Sequence, residues 1–563
     1  MSRIKLLWVP VALFSILTWI GGNQSLAAQT DEAGRLVPSK AFAVIAVGSP
    51  EQLRQEIITI ANNIQPAMAD YLRTSSMNAL FAPFIQTKQT IDLSRPMMLA
   101  IGAPADPDAP QPYMTLILAV KGGTTENIKV GQEASSEKAQ LVFLPNSDYV
   151  ALTTQPGLKA SANAPEIVKN MLMGDMTMRL DVRTLLAAIP DDPKDDSPNL
   201  HIILKDLTQI DWALKLGLKE TQTITQFACD SKDTLGASDI YAMSNLASYL
   251  PTDKMMYCAA DLNLLNAIMN FDENMLKALN HDAKMTKQLM QTLEDAKAVM
   301  ATMKDGCAAS MDVLGDDKKN TQMSMFMVTK SDAPKAYFDA SLKEWKSEES
   351  LYGIKMSSHK MTTAANGDVT LNASFKVDDS ATQSDLPFVG FFQQLMQSVP
   401  GPLNITGVSG HGLVGVAALI GGQSDTSTLL QNLQSEKTGS VPAPLATAMK
   451  SDWGQTRMAM TMDLRKLAQA FIKVDPHPAG DFGPMMTPPG PGKAAPVNYN
   501  LSNKGNQYRL VMTTNLEQDI ALAKDATRNT FFGMFWQEPD FWNQIRDQNQ
   551  HQHQNQHQHQ HQH

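Results

Sequence analysis

The chain has 563 residues, of which 43% are hydrophobic and 18% are charged, a composition typical of a globular protein rather than a disordered one. It carries 57 acidic and 47 basic side chains, for a net charge of −10, and its sequence contains no basic run. This balance argues against binding to nucleic acid or to anionic lipid headgroups.

The first 28 residues have the pattern of a secretory signal peptide. Arg3 and Lys5 give a positive start, residues 6–20 form an apolar run too short to span a bilayer comfortably, and small residues follow. We therefore expect a secreted or periplasmic protein that is soluble once the signal is cleaved. The alternative is a protein anchored in the membrane by an uncleaved N-terminal segment.

Three kinds of segment recur along the chain. The first is a short apolar strand that leads directly into an amphipathic helix, at 41–64, 176–189, 255–271 and 457–472. The second is a strand hairpin followed by the start of a helix, at 97–130, 210–235, 307–342 and 497–523. The third occurs at 148–171 and 411–433. Their order in the first part of the chain returns in the second, which predicts an internal duplication.

The recurrence predicts two halves, at 35–245 and 246–530, in which helices fall between antiparallel strands. The predicted fold is therefore α+β and internally duplicated, with antiparallel sheets and helices packed on one face of each. An aromatic C-terminal segment at 531–548 and a disordered His/Gln-rich tail at 549–563 complete the predicted organisation.

The recurring strand–helix and hairpin–helix segments give the chain a resemblance to large, uncharacterised exported bacterial proteins built from repeated units of this kind. The resemblance covers most of the mature chain. It rests on pattern alone and implies no catalytic residue.

Three carboxylates occupy one place in the strand–helix segments, where the strand gives way to the helix: Asp181, Asp261 and Asp463. In the first copy, Ser49 followed by Pro50 fills this place. A helix cap can be exchanged between Asp and Ser, whereas a catalytic acid cannot. We therefore predict that these residues cap helices.

Sequence motifs for catalysis are missing. No GxSxG, HExxH, CxxC, P-loop or EF-hand motif occurs, and the glycine pattern in "GHGLVG" (410–415) precedes a strand-like run rather than the helix that a dinucleotide site needs. The sequence favours a protein without catalytic activity and without a cofactor. A hydrolase with dispersed catalytic residues is the alternative.

Methionine accounts for 34 residues, and Met458, Met460 and Met462 alternate along one predicted strand. Because thioethers bind Cu(I), one hypothesis is a soft-metal site. The main interpretation is packing, since the recurrence requires an inward-facing apolar strand here and methionine fills irregular cores. A third interpretation is an adaptable apolar pocket for a lipid or peptide.

The histidine-rich tail is a second candidate metal site. Its members are His551, His553, His557, His559, His561 and His563. Neutral imidazoles bind Zn²⁺, Ni²⁺ or Cu²⁺, although alternating His and Gln cannot form a packed core. A low-complexity tail without function is the alternative.

The three cysteines, Cys229, Cys258 and Cys307, bear on the redox chemistry of an exported chain. Three cysteines in an oxidising compartment suggest one disulfide and one free thiol. We predict a disulfide between Cys258 and Cys307, because both lie in strand-like runs of the same half.

The aromatic segment 531–548 is expected to fold back over an exposed edge or groove, or alternatively to dock on a membrane surface or a partner. The sequence as a whole predicts an exported, non-catalytic binding or structural protein of the cell envelope. Its partner would be an envelope protein or an apolar ligand. The first alternative is a copper-handling protein that uses the methionine clusters and the His-Gln tail.

Overall fold

The structure is a computed structural model of the chain. It describes residues 31–74, 81, 84–87, 90–103, 112–121, 128–131, 139–188, 204–230, 239–278, 283–314, 322–352, 354–377, 401–420, 426–435, 439–474 and 492–527. The predicted signal peptide, the aromatic segment 531–548 and the tail histidines lie outside the described residues.

The strands are β1 (Ala41–Val47), β2 (Ile85–Thr87), β3 (Met97–Gly102), β4 (Tyr113–Ala119), β5 (Ile128–Val130), β6 (Gln140–Phe143), β7 (Tyr149–Thr153), β8 (Met176–Asp181), β9 (Leu207–Lys215), β10 (Thr221–Cys229), β11 (Met256–Ala260), β12 (Lys304–Leu314), β13 (Gln322–Lys330), β14 (Ile354–Thr363), β15 (Val369–Val377), β16 (Leu403–Gly410), β17 (Leu413–Ile420), β18 (Gln455–Asp463), β19 (Pro496–Lys504) and β20 (Gln507–Thr514).

The helices are α1 (Pro50–Ile64), α2 (Pro66–Thr74), α3 (Val182–Ala188), α4 (Ile240–Ala247), α5 (Leu262–Ala278), α6 (Ala283–Met300), α7 (Pro334–Tyr352), α8 (Thr426–Gln434), α9 (Ala443–Ala448), α10 (Leu464–Val474) and α11 (Leu516–Thr527), with a 3₁₀ turn at Glu166–Val168. Among the helices of the described residues, none is both long enough and apolar enough to cross a membrane.

The four predicted strand–helix segments are confirmed as β1–α1, β8–α3, β11–α5 and β18–α10. In each, the helix begins within three residues of the strand end, as a polar cap at the junction requires. The predicted hairpins are confirmed as β3–β4, β9–β10, β12–β13 and β19–β20. The hairpin β14–β15 and helix α6 were not predicted.

Eighteen of the described strands form one continuous antiparallel sheet. Its pairings run β6–β7–β4–β3–β1–β8–β9–β10–β20–β19–β18–β11–β12–β13–β17–β16–β15–β14. The remaining strands, β2 and β5, form a small separate pair.

The predicted duplicated sheets are therefore wrong, because the chain forms a single sheet. The two parts of the chain join where β10 pairs with β20, in register from Thr221 opposite Thr514 to Ala228 opposite Gln507. Alternation of apolar and polar residues predicts which face of a strand is buried, but it does not predict which open edge that strand will join. An unpaired edge carries free backbone N–H and C=O groups, and this pairing satisfies them.

Helices cover both faces of the sheet, so the predicted packing of helices on one face is also wrong. Met327 and Val328 are neighbours on β13 and therefore point to opposite faces. Val328 packs in a core with α4, α8 and α9, whereas Met327 packs against a core with α6 and α7. Helices cover both faces because the strands carry apolar residues on both faces. In β7, for example, all five residues are buried.

The two faces of the central strands differ in chemistry. We call the face that carries Met327, Met458 and Met460 the methionine face. We call the opposite face, which carries Arg179 and Arg509, the arginine face. The strand registers place these residues on their respective sides.

Candidate functional site

The methionine face carries two unbroken cross-strand rows through the six central strands β9, β10, β20, β19, β18 and β11. The first row consists of Leu214, Thr223, Met512, Tyr499, Met460 and Cys258, each directly opposite the next. The second row consists of Trp212, Thr225, Leu510, Leu501, Met458 and Ala260. We call these the central rows. At roughly 4.8 Å between neighbouring strands, each extends over roughly 24 Å.

The side chains of the central rows are only half-buried, with the exception of Ala260, which is buried. Elsewhere on the same face, helices complete a fully buried core. Leu53 of α1 packs with Val47 and Met97 on one side, and Phe338 of α7 packs with Leu371 on the other. The side chains of the central rows keep part of their surface exposed, although α3 packs against β9 and α10 packs against β18.

Four sulfur-bearing side chains meet at the end of the first row. Met460 lies directly opposite Cys258, and Met462 lies directly opposite Met256. Residues two apart on a strand share a face, so all four lie on the methionine face, and all four are half-buried. We call them the sulfur quartet. Sequence reasoning singled out Met460 and Met462 but could not supply Met256 as a partner, because that depends on the pairing of β18 with β11.

Two further methionines lie beside the quartet, one on each of the next two strands. Met311 lies directly opposite Met256, and Met325 lies directly opposite Met311. Met458, the third methionine that the sequence proposed as a ligand, lies opposite Ala260 and Leu501 instead. The structure thus groups two of the three proposed methionines with sulfur atoms from other strands.

The cysteines are free thiols in the structure. Cys258 lies opposite Ala309, and Cys307 lies opposite Ala260, so the two cysteines are diagonal neighbours on adjacent strands. Diagonal positions are about 7–8 Å apart, whereas disulfides join Cα atoms about 4.4–6.8 Å apart, so a bond would need movement of the backbone. The predicted bond stays a prediction. Burial raises the pKa of Cys258 to about 11 and, together with Cys258, that of Cys307 to about 12. Neither thiol is an activated nucleophile.

The predicted helix caps are confirmed. The side chains of Ser49, Asp181, Asp261 and Asp463 accept hydrogen bonds from the backbone N–H groups of Gln52, Thr184, Leu264 and Arg465 at 3.4, 2.9, 2.7 and 3.0 Å. Asp261 also forms a buried ion pair, in which its Oδ2 accepts from Arg457 Nη1 at 2.8 Å. These carboxylates are occupied by structural contacts, which leaves them poorly suited to acid–base chemistry.

The arginine face has a polar row across β8, β9, β10 and β20. Arg179, Asp211, Gln226 and Arg509 lie opposite one another in that order. Arg179 donates to Asp211 Oδ1 at 2.6 Å and to Oδ2 at 3.1 Å. Arg509 donates twice to Gln226 Oε1 and lies 4.3 Å above the ring of Trp453. Burial lowers the pKa of Arg509. The row ties strands together through satisfied hydrogen bonds.

One pair of carboxyl groups, Glu56 and Asp175, was not identified from the sequence. Burial and the neighbouring Asp175 raise the pKa of Glu56 to about 7, and burial raises the pKa of Asp175. Asp175 is fully buried, and its Oδ2 accepts from the backbone N–H of Leu216 at 2.6 Å. Glu56 Oε2 and Asp175 Oδ1 are buried without a hydrogen-bond partner. The two residues lie far apart in the chain, so spacing gave no signal.

Metal sites of the usual nitrogen and oxygen type are missing from the part of the chain that the structure describes. No group of three or more His, Cys, Asp or Glu side chains is placed there to hold an ion. The six tail histidines lie outside the described residues, and their metal binding stays a prediction.

Comparisons with known proteins add little. No family model and no curated protein matches the chain. Crystal forms IV, III and I of TP0453 are similar at 10% sequence identity, with TM-scores of 0.22, 0.21 and 0.20. They cover 49%, 49% and 51% of this chain and 95%, 96% and 98% of TP0453. At these TM-scores the similarity carries no inference about fold or function.

Proposed function

We propose that the protein is an exported, non-catalytic binding protein of the cell envelope that holds an elongated apolar ligand, such as an acyl chain, against its methionine face. The observation that supports this best is the pair of central rows. Most of their side chains are apolar and half-buried, and they lie in lines across six strands.

The physical gain from such a ligand is burial. Each 100 Å² of apolar surface removed from water contributes about 2.5 kcal/mol before the costs of association are subtracted. Met460, Met512 and Met458 suit this role, because unbranched thioether side chains adapt to the shape of a flexible chain. Tyr499 adds a large flat surface in the middle of the first row.

Export is supported by the N-terminal pattern of residues 1–28. A non-catalytic role is supported by Asp181, Asp261 and Asp463, whose carboxylates cap helices. An envelope protein as partner, with the aromatic segment 531–548 as a contact, is the alternative to an apolar ligand.

The test begins with native mass spectrometry of the mature chain purified from its host compartment. We expect a co-purified apolar ligand, and we expect delipidated protein to bind palmitate saturably. Replacing Leu501 and Leu510 by Lys should weaken palmitate binding at least about tenfold, because two charges enter the rows. Tyr241→Lys is the control, since Tyr241 is 80% exposed outside the rows. A bare mass without saturable binding would overturn the proposal and direct the search to protein partners.

A further inference from the structure

We propose that the sulfur quartet, Met256, Cys258, Met460 and Met462, is a binding site for a soft monovalent metal ion of the Cu(I) type. This inference goes beyond the binding of an apolar ligand and does not depend on it. Its basis is the placement of four sulfur-bearing side chains side by side on two adjacent strands, which no spacing within either strand reveals.

Strand geometry brings the four side chains together. Directly opposite residues in an antiparallel pair have Cβ atoms about 4.5–5.5 Å apart. Met460 and Cys258 form one such pair, and Met462 and Met256 form the adjacent one. Because a methionine side chain has three rotatable bonds, the thioethers can turn toward a common centre without movement of the backbone.

The donor set selects the class of metal. Thioether and thiol ligands favour Cu(I), whereas Ca²⁺ and Mg²⁺ need oxygen ligands and Zn²⁺ sites are built from thiolate, imidazole and carboxylate groups. The quartet contains one cysteine and no histidine or carboxylate. When Cys258 joins the site as a thiolate, its proton passes to the solvent, and neither the sulfur nor the metal changes oxidation state.

The quartet lies in a half-buried part of the methionine face. All four residues keep part of their surface exposed. Met311 and Met325 extend the sulfur surface on one side. Tyr257 and Ala259, the neighbours of the quartet on β11, are buried on the opposite face and hold the strand in place.

Ag⁺ is the probe, because it is soft, monovalent and does not change oxidation state during the assay. The full mature chain, with its tail, is titrated with Ag⁺ in the wild type and in Met256→Leu/Met460→Leu/Met462→Leu. We expect the triple variant to bind one Ag⁺ fewer, or at least about tenfold more weakly. The control is Met114→Leu/Met178→Leu/Met512→Leu, which changes three half-buried strand methionines outside the quartet. Both variants keep the tail histidines.

Two further measurements decide the outcome. X-ray absorption of the Ag⁺-loaded wild type should show sulfur ligands, even if the triple variant fails to fold. Only nitrogen or oxygen ligands, or equal Ag⁺ binding by the two triple variants, would overturn the site. Palmitate binding should survive in Met256→Leu/Met462→Leu, which removes two of the four sulfur-bearing side chains and leaves both central rows unchanged. Loss of Ag⁺ with retention of palmitate therefore separates this site from the proposed apolar function.

Discussion

Side chains at equivalent places in the recurring segments make different contacts in the fold. Asp181 and Asp261 both follow a strand and cap a helix, as the sequence predicts. Only Asp261 also receives the buried guanidinium of Arg457, whose Nε donates to Asn503 Oδ1 at 2.6 Å. The caps could be predicted because a cap is a local contact, whereas Arg457 comes from a strand much later in the chain.

The two aspartates should therefore differ in their contribution to stability. We expect Asp181→Ala to lower the free energy of unfolding by about 1 kcal/mol, the cost of a lost cap. Asp261→Ala should lower it by about 3–5 kcal/mol, because it also removes the carboxylate that pairs with the buried guanidinium of Arg457. Urea unfolding followed by tryptophan fluorescence measures both. Equal losses would show that the ion pair contributes nothing beyond the cap.

Glu56 should make stability depend on pH. Its pKa is raised from 4.5 to about 7 by burial and by Asp175, so the folded protein holds the proton more tightly than the unfolded chain. The resulting stabilisation is full below the unfolded pKa and is lost as pH rises toward the folded one. Since Glu56 is partly exposed, solvent screening reduces the effect to about 1 kcal/mol.

Glu56→Gln provides the measurement. Between about pH 4, where the folded Glu56 is neutral, and about pH 8, where it is ionised, the variant should gain about 1 kcal/mol of stability relative to the wild type. Unfolding at the two pH values in the same denaturant gives the comparison. A difference between wild type and variant that does not change with pH would contradict the assignment.

At the scale of elements, the sequence indicated most strands and helices but not which strands pair. The alternating pattern of Met458, Met460 and Met462 predicted a strand, and β18 is that strand. Its partners β11 and β19 follow from the fold of the whole chain. The sulfur quartet is a product of this pairing, and for that reason half of it was missed.

The pairing of β10 with β20 can be tested by cross-linking. Thr225 lies directly opposite Leu510, so Thr225→Cys/Leu510→Cys should form a disulfide, since opposite Cα atoms lie about 4.5–5.5 Å apart. Val511 is one residue further along and points to the other face, so Thr225→Cys/Val511→Cys should not. Peptide mapping without reductant identifies the bond and distinguishes it from bonds of the native cysteines. Two separate sheets would give no bond in either variant.

At the scale of the whole molecule, the sheet formed by the described strands is open, with β6 and β14 at its two ends. Strand β14 carries Lys355, His359 and Lys360, all exposed, and charged side chains on an edge discourage pairing with another chain. The central strands are paired on both sides and bear buried polar contacts on the arginine face. The sequence could not predict which strands lie at the edges, because an edge strand differs from the others only in having a partner on one side.

Hydrogen exchange should follow this arrangement. We expect backbone amides of β9, β10, β19 and β20 to exchange slowest and those of β14 to exchange at least about a hundredfold faster, because strands at an edge open more easily. Exchange monitored by mass spectrometry of proteolytic peptides resolves these strands. Rapid exchange in β10 and β20 together, with protection elsewhere, would show that the junction between them opens independently.

The pairing of β10 with β20 also limits when the sheet can close during synthesis. Strand β10 ends at Cys229, and its partner β20 begins at Gln507, near the end of the described chain. A chain synthesised from its N-terminus therefore presents β10 with an open edge until the residues of β20 have been added. An open edge attracts other strands. We therefore expect a chain that ends before Gln507 to self-associate more readily than the full chain, unless another protein covers the open edge of β10.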